Sequence, residues 1–179
     1  MSETVRKLCV CAVGVALFAV LSLCLQVPVF ENYYLCLGYA VVAVYACFFD
    51  PVSAAVTGCL GAAAYCLAIN GLRGMPGWAL GNIAVGLILG FAFRAAHRAR
   101  RPLVRILILI FSVPVSVLAG ILVIKSAVES LLYAQPLLVR AGKNLPAFIA
   151  DAVTLFVSLP LCAALDRPVR KRFPFARAS

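Results

Sequence analysis

Apolar runs long enough to cross a bilayer recur along this chain from Leu8 to Leu165, separated only by short polar breaks. The hydrocarbon core of a membrane is about 30 Å thick and takes roughly 20 apolar residues as a helix. A helix also satisfies every backbone polar group within its own segment, which lipid requires. With 65% of its 179 residues hydrophobic, a soluble domain of this size could not clothe a wet surface. The pattern predicts an all-α, polytopic membrane protein: one six-transmembrane-helix bundle over residues 1–179, with no separate soluble module.

The six predicted spans are Leu8–Leu25, Leu35–Phe49, Val52–Ile69, Ala79–Phe93, Leu103–Ile124 and Ala147–Leu165. Turn chemistry sets the breaks. Pro28 pushes Val27 out of the helical region and ends the first span. Asp50-Pro51 makes a tight hairpin with Pro51 in the first turn of the next helix. Asn70-Gly71 and Gly74-Met75-Pro76-Gly77 form a loop, as do Arg98–Pro102, and Gln135-Pro136 with Gly142–Pro146. The second and fourth spans are short, which implies local thinning or tilt against longer partners. Pro114 falls inside the fifth span and predicts a kink.

Of the sixteen Lys and Arg residues, twelve lie at the two termini or between Arg94 and Arg105, and four (Arg73, Lys125, Arg140, Lys143) lie at the opposite ends of the spans. Basic residues resist translocation, so the first group marks the cytoplasmic side. Both termini are therefore predicted to be cytoplasmic in a multi-pass protein of the cell membrane. The net charge of +10 is read as topology, with attraction to anionic headgroups as a by-product. No nucleic-acid-binding fold accompanies it.

The residues for catalysis are missing. His97 is the one histidine and belongs to the Arg-rich loop, out of reach of a buried nucleophile. The chain contains no H-E-x-x-H and no phosphate-binding G-x-x-x-x-G-K-[ST]. Its eight cysteines form no CxxC pair and read as small apolar residues. No enzyme, cofactor or metal site is predicted.

Two constellations remain. In the first span, Ala12 and Ala16 stand four apart beside Gly14 and Ala19, a flat stripe that lets another helix approach closely; an alanine-rich chain also yields such spacing by chance. On the external side, Glu31-Asn32-Tyr33-Tyr34 follow the first span, Arg73, Trp78 and Asn82 bracket the start of the fourth, Lys125 and Glu129 sit one turn apart, and Tyr133, Asn144 and Asp151 lead into the sixth. The rings suit an interfacial aromatic belt, and Lys125 with Glu129 suits an i,i+4 ion pair. The same groups converging on one face suit a pocket for a planar polar metabolite. Asn82 and Asp151 lie deep enough that they must face the bundle or a wet cavity. The candidate ligand set is Asn32, Tyr34, Trp78, Asn82, Lys125 and Asp151.

Three segments then resemble a known family. Thr4–Val20 is similar to the first helix, with its A-x-x-x-A docking motif, of the substrate-binding (S) components of energy-coupling-factor vitamin transporters, riboflavin-type group. Leu37–Gly58 resembles the family's second and third helices, with Phe49-Asp50-Pro51 where the family reads phenylalanine-glycine-proline. Pro76–Asn82 resembles the tryptophan-bearing start of its fourth helix. The resemblance implies a subunit that captures a water-soluble vitamin, riboflavin or a related planar heterocycle, at the external face. It implies partners as well: a transmembrane coupling subunit, docked through Ala12 and Ala16, and two cytoplasmic ATPase subunits. The competing reading is a small membrane scaffold of the rod-shape, cell-wall type, which would not need polar and aromatic side chains gathered on one face.

Overall fold

The computed structural model describes residues 3–24, 26–30, 33–69 and 75–172. Its elements are α1 (Glu3–Cys24), a hairpin of β1 (Gln26–Phe30) and β2 (Tyr33–Cys36), α2 (Gly38–Phe48), α3 (Pro51–Ile69), α4 (Met75–Arg98), α5 (Pro102–Val117), a π-helical stretch (Leu118–Lys125), α6 (Ser126–Tyr133) and α7 (Leu137–Arg172). Among the described residues, five helical segments are long and apolar enough to cross a membrane: Thr4–Cys24, Pro51–Ile69, Pro76–Arg98, Pro102–Tyr133 and Leu137–Asp166. Their outer surface is a belt of side chains such as Leu8, Leu103, Phe111 and Val157, each more than half exposed. Only a lipid solvent makes that arrangement favourable.

The spans differ from the sequence reading in three places. The segment Leu35–Phe49 yields only the eleven-residue α2, about 16 Å of helix. Thinning and tilt are not needed to explain it: nine of its residues are buried, because it runs inside the bundle, packed on α1, α3, α4 and α7. A helix that is apolar all round belongs in a core. The fourth segment is not short, since α4 starts at Met75 and uses Pro76 and Gly77 in its first turn. The stretch between the fifth and sixth predicted spans, which holds the predicted loop of Gln135-Pro136 and Gly142–Pro146, is mostly helix. α6 runs to Tyr133, Ala134 turns the chain in the left-handed region at φ 49°, and α7 continues straight through Gly142–Pro146.

Outside the spans, β1 and β2 pair antiparallel, with Gln26 opposite Cys36 and Val27 opposite Leu35. The all-α class therefore holds for the membrane part, and a two-stranded ribbon caps one end. Asp50 explains the departure at the turn between α2 and α3: its carboxylate accepts the Ser53 backbone N–H, and its carbonyl accepts that of Ala54. It caps α3 while Pro51 occupies the first position, as predicted.

Small residues set the helix distances. A Cβ on Gly86 would lie 2.5 Å from the Ala55 nitrogen, so α3 and α4 touch through backbone, the packing mode that replaces the hydrophobic effect in lipid. Gly81 and Gly120 cross in the same way where α4 meets the π stretch. Four buried hydroxyls are satisfied by their own helices: Ser112 on Leu109 O, Ser116 on Val113 O, Thr154 on Ala150 O and Ser158 on Thr154 O. Pro114 does not break its helix. The wider π turns begin four residues later, and Ser126 Oγ closes them by donating to Ile121 O at 3.2 Å.

Candidate ligand site

At the end of the bundle where α4 begins, the polar side chains are organised by a residue that the sequence reading missed. Tyr39, at the start of α2, is fully buried. Trp78 Nε1–H donates to its hydroxyl at 3.0 Å, and the hydroxyl donates to Asn82 Oδ1 at 2.7 Å. Asn82 Nδ2 in turn donates to Gly58 O on α3 at 3.3 Å. Trp78 and Asn82 stand one turn apart on α4, so both can face α2 at once. Asn82 is itself fully buried, and an amide there is stable only with its partners in place.

Rings surround this relay. Phe18 of α1 lies edge-on to Tyr39 (centroids 6.2 Å apart) and tilted to Trp78 (6.0 Å), while Tyr65 of α3 meets Trp78 at 5.6 Å and 80°. These are the offset and edge geometries that aromatic quadrupoles favour. Trp78 keeps a partly exposed face. On the far side, Asp151 of α7 interacts with the Tyr39 hydroxyl and feels the charge of Lys125. Lys125 is the last residue of the π stretch, and its charge acts on a carboxylate that is 5% exposed without closing to an ion pair.

Of the six candidate ligand residues, Trp78, Asn82 and Asp151 converge on Tyr39, and Lys125 joins through Asp151. Tyr34 lies on β2, opposite Pro28. Asn32 lies outside the described residues. Lys125 and Glu129 do not form the i,i+4 pair. Glu129 instead accepts Asn144 Nδ2 at 2.9 Å and faces Arg140 at 4.0 Å, and Asn144 also donates to Ser126 at 3.0 Å. This second network ties α6 to α7 next to Lys125. His97 is placed on the last turn of α4 instead of in a loop.

Ala12 and Ala16 are both exposed, on the face of α1 opposite the buried Gly14 and Phe18. α1 is also the least enclosed of the long segments, with 17% of its span buried against 50% for α4. The stripe thus lies open to lipid or to another helix.

No curated protein matches the chain. The family described as ECF-type riboflavin transporter, S component, matches residues 2–167. That family consists of transporter subunits, not enzymes, and the match gives the scaffold reading no support. With nearly its whole length covered, the chain belongs to the riboflavin-type S components, the substrate-binding membrane subunits of energy-coupling-factor transporters.

Proposed function

We propose that the chain captures a flat, water-soluble vitamin, riboflavin or a close relative, against the Trp78–Tyr39–Asn82 relay at the external face. The observation that carries this reading is the convergence of four aromatic rings, a buried amide and a buried carboxylate at one end of an otherwise apolar bundle. A planar ring system would stack on the partly exposed Trp78. Its polar edge would meet groups already fixed by one another, which lowers the ordering cost of binding. Tyr34 and Asn32, in the segment joining α1 to α2, would complete the set of ligand-binding residues.

In this reading α2 counts as the sixth crossing, buried within the bundle, and both termini are cytoplasmic with the Arg94–Arg105 segment. The open face of α1 would dock, through Ala12 and Ala16, on a transmembrane coupling subunit driven by two cytoplasmic ATPases. Titration calorimetry of the purified full chain against riboflavin and a panel of other vitamins tests the proposal. Stacking is worth about 0.5–1.5 kcal/mol beyond burial, so Trp78→Ala should weaken binding about tenfold. Wild-type affinity in Trp78→Ala, Asn82→Ala and Asp151→Ala alike would place the site elsewhere.

A further inference from the structure

At the opposite end of the bundle, four helices leave a cavity of about 300 Å³ that the ligand reading does not use. Its walls are apolar: Phe93 of α4, Leu109 of α5 and Leu159 of α7. Its polar lining is small and held in place by the backbone. Arg105 Nε donates to Ala99 O at 2.8 Å, which folds the guanidinium back over the turn between α4 and α5. His97 Nδ1–H donates to Phe93 O at 2.6 Å, and its ring stacks on Phe93. Asp166 is the one carboxylate in the lining. Arg94, Arg98, Arg100 and Arg101 belong to the same stretch, so an anion approaching this end meets a strongly positive field.

We propose that this cavity is a binding site for one anionic phospholipid, with its phosphate at Arg105 and His97 and part of an acyl chain against Phe93, Leu109 and Leu159. Two features select a lipid over a free phosphate. The walls offer an acyl chain apolar surface that a soluble anion cannot use, and the cavity lies at the basic end of membrane-spanning helices, at headgroup level. Two features select a site over diffuse attraction: a recess walled by apolar side chains, and polar groups oriented by hydrogen bonds to main-chain carbonyls, the arrangement that pre-forms a recognition site. An arginine is suited to the headgroup because its fork can hold phosphate oxygens by two N–H groups. An occupied cavity would also fill the gap between α5 and α7 at this end.

The test uses the full chain reconstituted in nanodiscs of phosphatidylcholine, with or without phosphatidylglycerol, and native mass spectrometry of the released protein. One phosphatidylglycerol should be retained per chain. Arg105→Gln should reduce retention about fivefold, the factor for one basic residue acting on an anionic lipid. Arg101→Gln, with the same change in net charge, should leave it unchanged. Leu109→Trp fills the cavity without altering charge and should abolish retention, while Arg105→Lys, which keeps the charge and loses the fork, should fall between wild type and Arg105→Gln. Equal loss in Arg101→Gln and Arg105→Gln would mean diffuse surface attraction and overturn the proposal. So would equal retention of phosphatidylcholine, or displacement of the lipid by glycerol phosphate alone.

Discussion

Replacing Tyr39 with Phe keeps the ring and removes one oxygen, so it probes the contacts of that hydroxyl, those of the relay and that with Asp151. The oxygen receives Trp78 Nε1–H and donates to Asn82 Oδ1. Trp78 is only partly buried, so its N–H can turn to water at small cost. Asn82 is fully buried and keeps only the bond from Nδ2 to Gly58 O. An acceptor stranded in that way costs about 1–3 kcal/mol. Hydrogen bonds between membrane helices average about 0.6 kcal/mol and reach about 1.7 kcal/mol. The complete burial of both partners places this bond near the upper end, so Tyr39→Phe should destabilise the fold by roughly 1.5 kcal/mol. Reversible unfolding of the full chain in mixed micelles, titrated with a denaturing detergent, gives the value. Asn82→Leu completes a double-mutant cycle, and the coupling between the two changes should be about 1 kcal/mol. If the two effects add to within about 0.3 kcal/mol, the hydroxyl and the amide do not act as a unit and the relay is geometry without energetic consequence.

Glycines on two helices should respond with opposite signs in the same unfolding assay. Gly86→Ala puts a methyl group 2.5 Å from the Ala55 nitrogen and should cost about 1–3 kcal/mol by forcing α3 and α4 apart. Gly142 has nothing within 4 Å of its Cβ position, so Gly142→Ala should stabilise α7 by up to about 1 kcal/mol. Ala134→Gly relieves a left-handed alanine and should also stabilise, by about 1 kcal/mol. Replacing Ala12 and Ala16 with Leu should abolish vitamin uptake by the assembled transporter while calorimetric affinity of the isolated subunit stays at the wild-type value. Uptake at the wild-type rate would make the stripe a by-product of alanine content.

Much of this architecture was legible because lipid imposes a strict length and polarity code. Helices α1, α3 and α5 lie close to the apolar runs that announced them. The errors came where turn-forming residues sit inside helices. Pro76 and Gly77 read as loop, yet a proline costs nothing in the first turn, where its missing N–H has no partner to lose. Gly142–Pro146 read as loop for the same reason. There, Pro146 deprives only the carbonyl of Gly142, an exposed residue in open surroundings, so the helix continues. In the site, Trp78, Asn82, Lys125 and Asp151 stood out because polar groups are conspicuous in an apolar chain. Tyr39 did not. Its ring blends into the apolar run of α2, and only the rule that a buried hydroxyl must find a partner would have pointed to it.

The placement of Trp78 has a practical consequence, because it is the only tryptophan in the chain. Indole emission from this protein originates wholly at the junction of Phe18, Tyr65 and Tyr39. Its wavelength will report whether the ring face is wet or covered, and a bound flavin stacked on it would quench it by energy transfer. The other membrane helices contribute no background. An unmodified chain therefore carries its own spectroscopic probe at the proposed ligand site, in detergent or in lipid.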